Sequence, residues 1–232
     1  MESKKTVFIT GADRGIGFAL CQEYLRHGWH VIAGQFMNEW KELEELGKEN
    51  PDLDLVPIDV ANPDSVREAA RQTATLAGHV DALIHVAGII LRDDSPDAVR
   101  AMLKVNAVGP ISVTQNFLPL MKEGEKRLCF VSSEAGSISL AHRRNEYGYG
   151  LSKTALNMAV RMMFQTLRKD GYLFRLYHPG WVNSYMETDE KSTIAPYEPE
   201  ETAKSAYLAF TRDRQCEDVL VMTDINGQTW SF

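Results

Sequence analysis

Tyr149 and Lys153 stand four residues apart in Tyr149-Gly150-Leu151-Ser152-Lys153, a spacing that puts both side chains on one face of a helix. A phenol and an ammonium held together can do acid–base chemistry that neither does alone. A free phenol has a pKa of about 10, too high to titrate usefully near neutrality. An ammonium about 4 Å away contributes roughly 4 kcal/mol at an effective dielectric constant of about 20. At about 1.4 kcal/mol per pKa unit, that lowers the phenol by up to about three units before solvent screening. The phenol would then serve as a general acid toward a carbonyl oxygen, and its phenolate as a general base toward an alcohol. The pair alone proves little, since tyrosines at helical spacing are common; Tyr147 meets only Leu151 four positions on. Hydroxyl donors able to steady a developing oxyanion gather just upstream, at Ser132, Ser133, Ser137 and Ser139.

Such groups need a scaffold, and the hydrophobic pattern supplies one. Short apolar runs at 6–10, 29–33, 53–58, 82–86, 128–132, 173–178 and 218–221 read as strands. Amphipathic stretches at 15–28, 63–78, 96–121, 147–169 and 199–211 read as helices. In the first of these helices Ile16, Ala19, Leu20 and Tyr24 share a face. Apolar strands alternating with helices predict a parallel sheet buried on both sides. Right-handed crossovers then give a doubly wound α/β fold of about seven strands, flanked by helices on both faces. No linker, repeat or low-complexity stretch divides the 232 residues, so residues 1–232 are expected to form one domain. In an open sheet of this kind ligands bind outside the carboxyl ends of the strands, where Ser132 and Ser133 stand.

Between the first strand and first helix lies Thr10-Gly11-Ala12-Asp13-Arg14-Gly15-Ile16-Gly17. Gly11, Gly15 and Gly17 allow a tight turn and close approach of backbone to a pyrophosphate. The helix that follows offers unpaired N–H groups and a positive dipole end to the same anion. Placed in a βα unit, the pattern reads as a dinucleotide site and not as an ordinary glycine cap.

Bulk composition narrows the partners. The net charge of −7 gives no electrostatic footprint for nucleic acid or an anionic membrane surface. No run of 18 or so apolar residues is present, and Met1-Glu2-Ser3-Lys4-Lys5 leads straight into the first strand without a signal-peptide pattern. Cys21, Cys129 and Cys216 are far apart, without metal-ligand spacing, so no metal is expected. Their sparse, odd number fits a reducing compartment, and the expected location is cytoplasmic.

Further signals follow in order. Asp59-Val60 comes after the third strand, Ala87-Gly88 closes the fourth, and Asn106 sits in Val105-Asn106-Ala107-Val108-Gly109. Ser132-Ser133 ends the fifth strand, and Pro179-Gly180-Trp181-Val182 follows the sixth. Together with the glycine loop and the Tyr149/Lys153 pair, these motifs resemble the short-chain dehydrogenase/reductase family along the whole chain. That resemblance implies a Rossmann-type fold. The wording around Gly136-Ser137-Ile138-Ser139 and Ser152-Lys153-Thr154-Ala155-Leu156-Asn157 is similar to the carbonyl-reductase-like, C-factor-like branch.

The resemblance implies a catalytic set of Asn106, Ser133, Tyr149 and Lys153. In it Ser133 polarises the substrate oxygen, and Asn106 holds a water in a proton relay beyond the lysine. Lys153 also holds the nicotinamide ribose. Cofactor contacts are implied for Gly11, Asp13, Arg14, Gly15, Ile16, Gly17, Gln35, Asp59 and Val60, for Ala87 and Gly88, for Pro179, Gly180, Val182 and Ser184, and for Tyr149 and Lys153 themselves. The residues ending the second strand, Gln35 and Phe36, include no acid to accept from a ribose 2′-hydroxyl, which removes the main NAD signal. The usual basic residue for NADP is missing there too. Arg14 matches a position where NADP-preferring members carry a cation, so the cofactor expectation leans to NADP over NAD; its bland alternative is a solvated loop arginine.

Departures from the family pattern are few. His85-Val86 stands where two asparagines are usual, and His85 reads as a satisfied core histidine. Asn183-Ser184 stands in place of a threonine that bonds the nicotinamide carboxamide, with Ser184 as substitute. Trp181 reads as packing over the cofactor edge, and Glu134 as a solvated loop carboxylate, with a pocket-facing position as the alternative. The Ser133–Tyr149 spacing of 16 exceeds the usual one, implying extra loop residues. The polar segment 185–199 lies where the family keeps its substrate loop, and its shortness favours an open pocket or a small substrate.

The expected function is hydride transfer between NAD(P) and a small carbonyl or alcohol, with Tyr149 as general acid/base. The rival reading is a non-catalytic dinucleotide-binding sensor or signalling protein; such proteins tend to lose the tyrosine or lysine, and this chain keeps both. A sugar-nucleotide epimerase would need a different glycine spacing and a larger C-terminal domain. Met158, Met162, Met163, Phe164 and Leu167 on the helix at 147–169 suit either core packing or a homodimer or homotetramer interface.

Overall fold

The computed structural model describes residues 4–186, 190–213 and 218–232; Cys216 lies outside the described residues. Eight strands form one sheet: β1 (Thr6–Thr10), β2 (His30–Gln35), β3 (Leu53–Pro57), β4 (Ala82–His85), β5 (Arg127–Val131), β6 (Leu173–His178), β7 (Met222–Asp224) and β8 (Thr229–Trp230). Their order is β3-β2-β1-β4-β5-β6-β7-β8. All pairings are parallel except β7 with β8, which is antiparallel. The chain winds outward one way through β2 and β3 and the other way from β4 on, so the strand order reverses between β1 and β4. A crevice opens at such a reversal, beyond the strand ends.

The helices are α1 (Gly15–Arg26), α2 (Glu42–Glu49), α3 (Pro63–Leu76), α4 (Pro96–Leu103), α5 (Gly109–Phe117), α6 (Tyr147–Leu167) and α7 (Pro199–Thr211). Central strands are buried throughout; all five residues of β1 and all five of β5 are in the interior. Alternating side chains feed two apolar layers. Phe8, Leu83 and Phe130 pack on one face of the sheet with Val113, Phe117, Leu156 and Val160. Val7, Ile9, Ile84 and Cys129 pack on the other with Leu20, Tyr24 and Phe210. His85 lies in the first layer's plane, stacked on Phe130 at 4.5 Å with Nε2 3.1 Å from the Thr114 hydroxyl. Burial pushes its imidazole down to about 3, so it is neutral and structural, as its sequence context suggests.

Three features differ from the sequence expectation. The sheet has eight strands, not about seven, because the last residues fold back as β8 to shield the edge of β7. The final parallel strand is Met222–Asp224 in place of 218–221: the Asp218 carbonyl accepts from Arg168, and the register to β6 begins at Leu176↔Met222. Helix α2 carries no apolar stripe long enough to advertise itself, since only Leu43 of its eight residues is buried.

The helical stretch at 96–121 is also interrupted. After α4 the chain widens into a π turn at Lys104–Val108 before α5 resumes. Pro110 explains part of this, because it has no N–H to offer the carbonyl four residues back, that of Asn106. Among the described residues no helix is long and apolar enough to cross a membrane.

Helix α6 divides cleanly. Tyr149, Lys153, Leu156, Val160 and Phe164 face inward, whereas Met158 and Met162 are 60% and 63% exposed. Its inner face is pinned to the end of β5: Ser132 donates to Asn157 Oδ1 at 2.6 Å, and Asn157 Nδ2 and Thr154 donate to the Gly136 carbonyl at 3.1 and 3.3 Å. Gly136 permits this approach, because a Cβ there would sit 2.8 Å from the Lys153 carbonyl oxygen. Gly136→Ala should therefore cost about 1–3 kcal/mol of unfolding free energy through overpacking, read as a lower denaturant midpoint at unchanged slope. An unchanged midpoint would show that α6 has room to retreat from β5.

Candidate active site

The glycine loop is held by mutual close packing. Gly11 and Gly15 have φ of 66° and 58°, the left-handed region that glycine adopts without strain. A Cβ on Gly11 would lie 2.7 Å from Ala87 Cα, and one on Gly17 would lie 1.9 Å from the Gly11 carbonyl oxygen. The N-terminus of α1 has no side-chain cap and no acidic residue in its first turn, so its positive end stays uncompensated by the chain. An anion such as a pyrophosphate fits that chemistry. Ile16 lies in this first turn, and Ser184 approaches from the segment after β6, 3.5 Å from where a Gly15 Cβ would be.

The adenosine end of the crevice is bounded by β2 and β3. Gln35 is buried at the tip of β2. Asp13 Oδ1 accepts from the backbone N–H groups of Phe36 and Met37, each at 2.9 Å, which ties the glycine loop to the chain leaving β2. Burial outweighs these bonds and raises the Asp13 carboxyl above its ordinary value. Arg14 is no solvated loop arginine: its guanidinium lies 4.9 Å from the Trp40 ring centroid and 5.6 Å from that of Tyr185. The two rings meet edge to face at 4.6 Å. Sequence reasoning missed this clasp, since nothing in the spacing of residues 40 and 185 signals it.

Asp59 Oδ1 accepts from Ala61 N–H at 2.8 Å, turning the chain after β3, and Val60 packs where a Cβ on Gly109 would be 3.1 Å away. The Ala87-Gly88 pair follows β4. The Ala87 and Val86 N–H groups donate to Thr10 Oγ1 at 3.3 and 3.1 Å. Beyond β6, Gly180 is again left-handed (φ 77°), close against Tyr197, and Val182 bridges to Tyr197. Pro179 leads into this turn, and Trp181 is 57% exposed.

Four candidate catalytic residues converge at the carboxyl ends of β4 and β5. Ser133, Tyr149, Lys153 and Asn106 are all buried, at 5%, 7%, 4% and 1% exposure. Ser133 lies close enough to the Tyr149 phenol to influence its ionisation. Lys153 Nζ donates to the Val131 carbonyl at 3.1 Å and lies 5.8 Å from the Tyr149 ring centroid. Asn106 Nδ2 donates to Ile89 O at 2.8 Å and to Ser152 Oγ at 2.9 Å, and Oδ1 accepts from Ile89 N–H at 2.8 Å. Its amide thus fastens the π turn to α6. Asn106 and Lys153 flank one spot, 3.3 and 3.8 Å from an imagined Gly88 Cβ. Ser137, a rival to Ser133, is committed elsewhere, donating to the Ser231 carbonyl, and Ser139 is exposed beside it.

The electrostatics differ from the expectation of a phenol lowered by its lysine. Burial is the largest influence on Tyr149 and pushes its phenol up to about 12; Ser133 and Arg143 oppose this, while Glu134 and Glu146 add to it. Burial also lowers Lys153 to about 8, with Glu134 working the other way. Removing water from both groups costs each its charged form, and that outweighs their mutual attraction.

Glu134 is likewise not a solvated loop carboxylate. It accepts from the Ser133 hydroxyl, and its other oxygen accepts from Arg143 Nε at 3.0 Å. Burial works to raise the carboxyl, yet these partners hold it below its ordinary range. Arg143 also pairs with Glu146, which pairs with Arg92. The residues between Ser133 and Tyr149 thus form an ionic strap over the site; their number was legible in the sequence, their pairing was not.

Residues 5–195 match the model of the short chain dehydrogenase family. An uncharacterized oxidoreductase of Schizosaccharomyces pombe is 32% identical over 230 residues, covering 96% of this chain and 91% of its own. The 1-hydroxy-2-glutathionyl-2-methyl-3-butene dehydrogenase of a Rhodococcus species is 31% identical, covering 82% of this chain and 85% of its own. In fold the chain is similar to NADPH-bound carbonyl reductase from chicken fatty liver, with a TM-score of 0.89, 24% identity and coverage of 99% and 94%. The family match over most of the chain and the 32% identical relative covered almost end to end show the same thing, and the chain belongs to the short-chain dehydrogenase family.

Proposed function

We propose that the protein interconverts a carbonyl compound and its alcohol with NADP as cofactor, using Tyr149 as general acid/base. The observation that carries the reading is the buried cluster of Tyr149, Ser133 and Lys153, with Lys153 Nζ 5.8 Å from the Tyr149 ring centroid, at the strand ends that face the glycine loop. When bound, the nicotinamide dinucleotide supplies the hydride to the carbonyl carbon or accepts it from the alcohol.

The chain's own residues do the rest. Tyr149 delivers its phenolic proton to the carbonyl oxygen, and Ser133 offers that oxygen a hydrogen bond as charge gathers on it. Lys153, fixed on the same face of α6, offsets the charge left on the phenolate. Asn106, flanking the same spot as Lys153, is assigned the solvent end of the proton path. Gly11, Gly15, Ile16 and Gly17 would hold the pyrophosphate, and Asp59 and Val60 would line the adenine. Ala87, Gly88, Pro179, Gly180, Val182 and Ser184 would line the nicotinamide half. Support for NADP comes from Arg14 at the loop and from the absence of an acid at Gln35 and Phe36.

Purified protein with a panel of aldehydes, ketones and quinones should oxidise NADPH in preference to NADH, followed by loss of absorbance at the reduced-nicotinamide band. Tyr149→Phe should lower turnover by about 10²–10⁴-fold while leaving the NADPH-induced rise in Tm intact. Turnover in Tyr149→Phe equal to that of the parent would remove the acid/base role, and an unaltered signalling output would favour a sensor. Arg14→Ala should weaken NADPH about tenfold, the loss of one charge-assisted contact, with NADH binding little changed. Equal losses for both cofactors in a binding titration would count against NADP selectivity.

A further inference from the structure

Helix α6 starts without a cap of its own. Glu146, the residue before its first turn, makes no capping bond with its side chain. Its backbone is left-handed, with φ 62°, a region disfavoured for a residue that carries a Cβ. Among the described residues only Lys126 shares it outside glycine. The first N–H groups of a helix have no acceptor inside it, so a turn that begins this way needs partners from elsewhere.

Asp94 supplies them. It lies in the loop between β4 and α4, far from α6 in sequence. Its Oδ2 accepts from Glu146 N–H at 3.0 Å, and its Oδ1 accepts from Gly148 N–H at 3.1 Å. A carboxylate at a helix start is favoured both by the hydrogen bonds it accepts and by the positive end of the helix dipole. Tyr149 is the residue that follows Gly148, still within this first turn.

We infer that Asp94 is a positioning residue for Tyr149: by capping α6 from the β4–α4 loop it fixes the turn on which the phenol stands, and so the direction from which a proton reaches the carbonyl oxygen. The inference rests on the acid/base role proposed for Tyr149 and adds the group that aims it.

The other restraints on α6 act elsewhere. The bonds to the end of β5 grip the helix at Lys153, Thr154 and Asn157, and Asn106 holds Ser152. All of these lie on the carboxyl side of Tyr149. On the amino side Glu146 pairs with Arg92 and Arg143, whose side chains are 59% and 34% exposed, and ion pairs open to solvent hold geometry weakly. Those pairs also act on the Glu146 side chain, whereas Asp94 holds the backbone itself. Packing fixes the approach from the same direction: a Cβ on Gly148 would lie 3.3 Å from Val99 Cα, so α6 begins hard against α4.

The loop that carries Asp94 is braced in turn. Asp93 accepts from Ser95 N–H at 2.8 Å and from the Ser95 hydroxyl at 2.7 Å, and Ser95 Oγ caps α4 by accepting from Ala98 N–H at 3.3 Å. Ile89 and Ile90, from the same connection, pack with Ala98, Met102 and Tyr149. The wall beside the phenol and the cap that aims it are one piece of chain.

The test compares Asp94→Ala with Asn62→Ala. Asn62 caps a different helix, α3, by accepting from Asp64 and Ser65 N–H groups, so its loss reports what a missing cap does to stability alone. With NADPH saturating and the best carbonyl from the panel, kcat should fall about 10–100-fold in Asp94→Ala, the effect of a misaligned proton donor. KM and the Kd for NADPH should stay within about twofold, since binding is not what the cap controls. In Asn62→Ala, assayed at a temperature where it is folded, kcat should match the parent. Asp94→Asn, which keeps one acceptor oxygen, should fall between Asp94→Ala and the parent. A readout independent of turnover is the Tyr149 resonance in protein labelled with ¹³C at tyrosine Cζ, assigned with Tyr149→Phe. It should move or broaden in Asp94→Ala and stay in place in Asn62→Ala. A kcat or a resonance in Asp94→Ala that matches the parent overturns the inference. So does an equal loss of kcat in Asn62→Ala, which would mark both effects as lost stability. If Asp94→Ala does not fold, Asp94→Asn is read by the same two measures. Full turnover in Tyr149→Phe would instead overturn the acid/base reading, so the two failures are distinguishable.

Discussion

The attachment of helix α6 to the carboxyl end of strand β5 is the constraint on which the site depends. Tyr149 and Lys153 belong to the helix and Ser133 to the chain just past the strand, and no covalent proximity brings them together. They meet because Ser132 and Asn157 share a short hydrogen bond, because Asn157 and Thr154 hold the Gly136 carbonyl, and because Lys153 reaches back to Val131. All of these bonds except that of Thr154 are buried, so losing one partner strands the other away from water at a cost of about 1–3 kcal/mol. The reacting groups are thus set by a polar seam inside an apolar core, and the seam is as much a part of the site as the groups it aligns.

Much of this was legible from residue types and spacing. The period of the apolar runs gave the parallel sheet, and the glycine loop stood where a βα unit would place it. Of the four catalytic candidates, Tyr149 and Lys153 were marked by their helical interval, while Asn106 and Ser133 came from the family resemblance; the fold buries all four. What escaped had no local signature. Arg14 meets Trp40 and Tyr185 only because loops after β2 and β6 converge in space. Glu134 looked solvated because a lone carboxylate in a polar loop usually is, and only the fold brings Arg143 back over it. Helix α2 hid behind an acidic composition, and the π turn at Lys104–Val108 behind an unbroken helical pattern.

The electrostatic expectation failed for a reason of general use. Spacing along a helix fixes a distance between two charges, and a distance invites a Coulomb estimate. It says nothing about how much water surrounds them. In this chain both Tyr149 and Lys153 are almost wholly enclosed, so the dominant influence on each is the loss of hydration, which opposes the charged form of both. Burial moves both groups toward their neutral forms, which keeps the phenol protonated while the lysine, at about 8, stays largely charged near pH 7, and neighbouring carboxylates such as Glu134 gain leverage they would lack in solvent.

The aromatic clasp on Arg14 binds two otherwise separate stretches of chain to a single cation. The segment leaving β2 contributes Trp40 and the segment leaving β6 contributes Tyr185. Neither stretch can be redesigned in isolation. A substitution at Trp40 would also remove a packing partner of Tyr185, so the two stretches of chain are mechanically coupled through Arg14.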